Sequence, residues 1–158
     1  MLSLLPAGHF LHLCNMLSVS CKYAIRSAVY LMTLSKSGVR AGIKEVAREI
    51  EANEHTTGKI LQELVRAGII SSAKGPSGGF FIAADAAPVY IIDIVKLVDG
   101  VHLFFDCGLG LRKCSEVKPC PIHFTYKAAR EKLYEKFSAI TIADLAKDIT
   151  KGKAFLKR

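Results

Sequence analysis

Two short apolar runs flank the segment Lys74-Gly75-Pro76-Ser77-Gly78-Gly79, and this arrangement narrows the fold more than any other stretch of the chain. Ile69 to Ala73 before it and Phe80 to Ile82 after it read as strands, so the Gly-rich run reads as the turn of a β-hairpin. Before the hairpin, Ile43, Val46, Ala47 and Ile50 mark a short helix with one apolar stripe. Glu51-Ala52-Asn53-Glu54 is a turn, and Asn53 is placed to cap the next helix. In that helix Ile60, Leu61, Leu64 and Val65 face inward, and Gly68 stands where a C-terminal glycine belongs. Two short helices joined by a turn of about four residues have the form of a helix-turn-helix. With the hairpin behind them, the expected fold is mainly α with a small β-hairpin wing.

The remaining pattern extends this unit on both sides. Ala24, Ile25, Ala28, Val29, Leu31 and Met32 recur at helical spacing between Ser20 and Ser35. Val89 to Val98 reads as a further helix closed by Asp99-Gly100, and Phe105 to Pro121 as a loop. A long helix is expected from about Ile122 to Ile140, with Phe124, Ala128, Leu133 and Phe137 on its apolar side, then a short one from Ile142 to Ile149. The expected divisions are a disordered leader or mis-assigned start over 1–15 and a winged helix-turn-helix over 16–100. A cysteine-rich loop over 101–121, a long and a short helix over 122–150, and a basic tail over 151–158 complete them.

Lys and Arg outnumber Asp and Glu by 22 to 14, a formal charge of +8. Such a balance favours polyanionic partners. A recognition helix needs an apolar inner face and a polar outer face near its N-terminus, where side chains reach base edges in the major groove. His55, Thr56, Lys59 and Gln62 supply that outer face, with Arg66 further along. Lys and Gln can hydrogen-bond guanine and adenine edges, and Thr can pack on a thymine methyl. In the hairpin turn, Lys74, Ser77, Gly78 and Gly79 are candidates to approach phosphate or enter the minor groove. Lys22 and Arg26, early in the first helix, are candidate phosphate contacts. The partner implied is double-stranded DNA.

Three of the five cysteines, Cys107, Cys114 and Cys120, fall within fourteen residues, and His123 follows the last of them. An odd count without a secretion signal argues for a reducing, cytoplasmic compartment rather than a disulfide framework. No run approaches the ~20 apolar residues that span a bilayer, so no membrane partner is expected. Soft thiolates select iron–sulfur clusters, zinc or copper(I). Arg112, Lys113 and Lys118 lie between the cysteines and would offset thiolate charge. Pro121 suits the first turn of a helix, whose dipole would then favour thiolate. Zinc in a Cys₃His site usually shows a close cysteine pair, which is absent here. Cys14 and Cys21 stand apart from this group, one in the leader and one on a helix.

Four segments together resemble the Rrf-two type of winged-helix bacterial regulators, over almost everything from Met16 to about Ile149. They are Lys22-Tyr23-Ala24; Leu64 to Ile70 running into Lys74 to Phe80; the spaced cysteines ending in Cys120-Pro121-Ile122-His123; and Ile140 to Leu145. The resemblance implies a homodimer, with the long helix as the dimer arm, bound to a pseudo-palindromic operator. It implies that Cys107, Cys114 and Cys120 hold an iron–sulfur cluster. His123 matches the histidine that completes a 2Fe–2S site in one branch of the family. In another branch an acidic residue early in the first helix completes a 4Fe–4S site, and the matching position here is Lys22, which points to 2Fe–2S rather than 4Fe–4S. The first cysteine gap is one residue longer than in the former branch, and Gly58 replaces a glutamate of its recognition helix, so its base preference does not carry over.

Three functions compete: a transcription regulator sensing cluster, redox or nitric-oxide status; an electron carrier; and a DNA-binding protein with a structural Cys₃His zinc site or cluster-free thiols. A wing and a recognition helix have no use in an electron carrier. An enzyme is not expected, since no Gly-rich nucleotide loop, nucleophile motif or paired-carboxylate arrangement is evident.

Overall fold

A computed structural model describes residues 16–157. The leader expected over 1–15, with Cys14, lies outside the described residues. Among these, seven α-helices and one two-stranded sheet follow in the order α1 (Val19–Leu34), α2 (Ile43–Glu49), α3 (Glu54–Arg66), β1 (Ser71–Ala73), β2 (Gly79–Phe81), α4 (Ile91–Val98), α5 (His102–Phe105), α6 (His123–Ala139) and α7 (Ile142–Thr150). The expected helical fold with a hairpin wing is the observed one. No described helix is long and apolar enough to cross a membrane.

α1 is the central strut. Ser18 caps it by accepting a hydrogen bond from the Cys21 N–H, and Cys21, Ala24, Ala28 and Leu31 repeat at three- and four-residue spacing, all fully buried. Small residues at three of these positions let α7, α3 and α4 pack close around the helix. Leu61, Leu64, Ile94 and Ile142 arrive from those neighbours and are also fully buried. Each such side chain contributes roughly 1.5–3 kcal/mol.

Three elements differ from the sequence reading for local reasons. The helix expected from Val89 begins at Ile91, because Tyr90 is extended and bridges Thr141. The Val89 carbonyl there accepts the Ile142 N–H at 2.8 Å. The hairpin gains a third contact: Ala41 and Phe80 exchange both backbone hydrogen bonds, at 3.0 and 2.9 Å. The long helix opens at His123, with Ile122 as its N-cap, so Pro121 sits in the turn outside it.

That long helix also shows an unexpected inner face. Phe124 is 67 % exposed and Ala128 is exposed, whereas Leu133, Tyr134 and Phe137 pack inward. The Phe104 ring of α5 meets Tyr134 and Phe137 edge-on, with centroids 5.2 and 6.3 Å apart. The basic tail is not a loose appendage: Leu156 packs against the core, and Lys157 pairs with Glu49 of α2 at 2.9 Å.

Candidate functional site

The second helix of the helix-turn-helix is fixed at its start. The Asn53 side chain accepts from the N–H groups of His55 at 2.9 Å and Thr56 at 3.2 Å. Thr57 is buried and donates its hydroxyl to the Asn53 carbonyl, while Gly58 faces Ile43 of α2. With this side of α3 turned inward, His55, Lys59, Gln62 and Arg66 form an exposed stripe at spacings of four, three and four, with Thr56 half-buried beside it.

The wing turn leaves Lys74 and Ser77 exposed. Its glycines answer first to the hairpin itself. A Cβ at Gly78 would lie 2.3 Å from the Ala73 carbonyl oxygen, and one at Gly79 (φ +147°) would lie 2.9 Å from that of Ala41. The Gly78 N–H donates to Gly75 O at 2.9 Å, so it is used within the turn. Arg40 was missed by the sequence reading. It donates to the Ser77 carbonyl at 3.4 Å, and its guanidinium lies 5.1 Å from the Phe81 ring centroid, which brings a second positive charge, beside Lys74, to the wing.

Lys22 lies half-buried in the first turn of α1. Arg26, the other candidate phosphate contact, makes two contacts within the protein. Its Nη2 donates to the Leu156 carbonyl at 2.6 Å and stands 3.9 Å from Glu51, so it braces the C-terminal segment.

The segment between α5 and α6 folds Cys107, Cys114, Cys120 and His123 together as two pairs. Cys107 Sγ lies 3.8 Å from Cys120 Sγ, and Cys114 Sγ lies 3.4 Å from His123 Nδ1. Two tight turns produce this: Gly110 N–H donates to the Cys107 carbonyl, and His123 N–H to that of Cys120, each at 2.9 Å. Gly108 packs so close to the Tyr126 ring that a Cβ there would lie 2.8 Å from it. The backbone N–H groups of Leu109 and Leu111 hold the Cys107 thiol below its ordinary pKa, with lesser help from Cys120 and Arg130. His123 is 4 % exposed, and its Nε2 is buried without a hydrogen-bond partner. A cavity of about 420 Å³ opens beside Cys107 and Cys114.

Among the described residues, no three Cys, His, Asp or Glu side chains converge as a single ion would require. The pairs themselves have metal-like spacing. On a tetrahedral metal with sulfur bonds of about 2.3 Å, two thiolates stand about 3.8 Å apart, and a thiolate and an imidazole nitrogen about 3.6 Å. Each pair therefore has the spacing of two ligands on one tetrahedral centre. Arg112, Lys113 and Lys118 are all exposed. The cation that reaches a sulfur is Arg130 of α6, whose Nη2 donates to Cys114 Sγ at 3.3 Å. It lies ten residues beyond the last cysteine, where loop composition offers no hint of it.

A capped recognition helix, a following hairpin and a central first helix define a winged-helix transcriptional regulator. Residues 17–148 match the Rrf2 family, described as iron-dependent transcriptional regulators, and the chain belongs to that family. A protein of Aquifex aeolicus named as an HTH-type transcriptional regulator is 29 % identical over 130 residues, 81 % of this chain and 89 % of its own. The regulator NsrR of Geobacillus kaustophilus is 27 % identical over 137 residues, 86 % of this chain and 92 % of its own. Among solved structures, T. potens IscR superposes with a TM-score of 0.66 at 17 % identity, covering 87 % of this chain and 90 % of its own. CymR, the global cysteine regulator of B. subtilis, gives 0.66 at 20 % identity, covering 83 % and 95 %. These two likenesses concern the fold.

Proposed function

We propose that this regulator is a cytoplasmic homodimer that binds a pseudo-palindromic operator in double-stranded DNA, and that a 2Fe–2S cluster sets its affinity. The cluster would be held by Cys107, Cys114, Cys120 and His123. The observation that carries the reading is the division of these four donors into two pairs, 3.8 and 3.4 Å apart, on the α5–α6 loop and the first residue of α6. The burial of His123, with Nε2 left unpartnered, adds to it, because a buried ring nitrogen without a partner is costly and a ligand to this ring would offset that cost. The description of the matched family as iron-dependent agrees with an iron-containing cofactor.

In this reading Cys107 with Cys120, and Cys114 with His123, would be the two ligand pairs. The cluster supplies a one-electron redox centre that oxygen or nitric oxide can alter. The protein's own residues do the rest. His55, Thr56, Lys59 and Gln62 read base edges, while Lys74, Ser77, Gly79 and Arg40 approach the backbone at the wing. Exposed Phe124 and Ala128 on α6 supply apolar surface for a partner arm.

The test is purification without oxygen. The protein should be coloured and should carry iron and acid-labile sulfide in equal amounts. Cys107→Ala, Cys114→Ala and Cys120→Ala should each remove the colour, and His123→Cys should keep a cluster with a shifted spectrum. Colourless native protein with stoichiometric zinc would overturn the proposal.

A further inference from the structure

We propose that Arg130 tunes the cluster by hydrogen-bonding the Cys114 sulfur, so that its charge raises the reduction potential. This rests on the cluster reading above. Arg130 follows His123 by seven residues, two turns along one face of α6, so the helix that presents the imidazole also presents the guanidinium. The head group is fixed on three sides. Nη1 donates to the Asp106 carbonyl, Nη2 donates to Cys114 Sγ at 3.3 Å, and the guanidinium carbon stands 5.9 Å from the Tyr126 ring centroid. Its Nε is buried without a partner. A planar, always-charged donor aimed in this way has little freedom to leave the sulfur.

The consequence follows from charge. A 2Fe–2S core bound by three thiolates is already anionic, and one added electron makes it more so. A cation hydrogen-bonded to a ligating sulfur therefore stabilises the reduced form more than the oxidised form. Hydrogen bonds to sulfur and local net charge are established levers on such potentials. Arg112, Lys113 and Lys118 are exposed to water, where screening weakens them. Arg130 is thus a positioning residue rather than a ligand.

The experiment is an anaerobic titration with dithionite, followed by visible absorption, on the full chain and on Arg130→Gln and Arg130→Lys, with iron and sulfide measured on each. Arg130→Gln should hold a cluster whose midpoint is more negative than the parent's. Arg130→Lys, which keeps the charge but loses the planar fork, should fall between them. A chelator should strip iron faster from Arg130→Gln than from the parent. If Arg130→Gln holds no cluster, Arg130→Lys decides: a midpoint below the parent's at equal iron content supports the proposal, and an equal midpoint overturns it. Equal midpoints in all three cluster-bearing proteins overturn the role of Arg130 and leave the cluster reading standing. A parent without iron and sulfide overturns both.

Discussion

Ser18 and Asp99 join the start of α1 to the end of α4. The Ser18 N–H donates to one Asp99 carboxylate oxygen at 2.8 Å, and the Ser18 hydroxyl donates to the other. The same hydroxyl oxygen accepts the Cys21 N–H as the cap of α1, and Asp99 is itself the C-cap of α4. One serine thus fixes the central helix to the point where the chain leaves the winged domain for the cysteine loop. Ser18→Ala removes both a cap and a charge-assisted hydrogen bond. It should lower the unfolding free energy by about 1–2 kcal/mol, read from urea denaturation. A variant as stable as the parent would mean that the link carries no load.

Cys21 should be chemically silent in the folded protein. Burial pushes its thiol up to about 12, with the nearby Asp99 carboxylate adding to the effect. Because the folded pKa lies above the ordinary value of 9.0, burial of the neutral thiol favours folding fully below that value. The benefit is lost as pH rises from there towards about 12. Iodoacetamide at pH 8, followed by peptide mapping of cluster-free protein, should modify Cys107, Cys114 and Cys120 and spare Cys21 until denaturant is added. Modification of Cys21 at the rate of the loop cysteines would contradict its placement in the core.

The two DNA-facing elements should respond differently to mutation. Lys74→Ala should weaken binding to all sequences and reduce the salt slope by about one. Arg40→Ala should do the same and also loosen the wing, since it removes the contact to Ser77. Lys59→Ala and Thr56→Ala should instead change which bases are preferred, by about 1–3 kcal/mol at the affected position. Binding-site selection with each variant distinguishes these outcomes. Unchanged affinity and preference in both Lys59→Ala and Thr56→Ala would place the recognition surface elsewhere.

Features with a local cause could be read from the chain alone. Asn53 caps α3 and Gly68 turns left-handed after it, because both act within a few residues of themselves. The wing lay in the glycine-rich run, although Gly78 and Gly79 serve the hairpin's own tight turn before any phosphate. What stayed hidden depends on distant partners. Arg26 meets Leu156 across 130 positions of sequence, Ala41 pairs with Phe80, and Arg130 meets Cys114 from the next helix. No periodicity announces such contacts. The expected apolar side of α6 holds only in its second half, because helical spacing defines stripes without saying which stripe the rest of the protein covers. Phe124 and Ala128 lie outward, while Tyr134 joins Leu133 and Phe137 inside.

The cysteine loop connects the winged domain to α6, so a cluster there would fix how each recognition helix is held relative to the arm. Two recognition helices must meet major grooves about one helical turn apart, or a multiple of it. Loss of the common anchor for three thiolates and an imidazole should therefore cost affinity for a matched operator. Such couplings amount to about 1–3 kcal/mol, or roughly 5- to 150-fold. Non-specific binding, which rests on Lys and Arg against phosphate, should change much less. The most direct test is a titration of one labelled operator at fixed salt with cluster-loaded protein, cluster-free protein and Cys114→Ala. The predicted result is a difference of that order between the loaded protein and the other two, which should match each other. Equal affinity of all three on every operator tried would contradict the account.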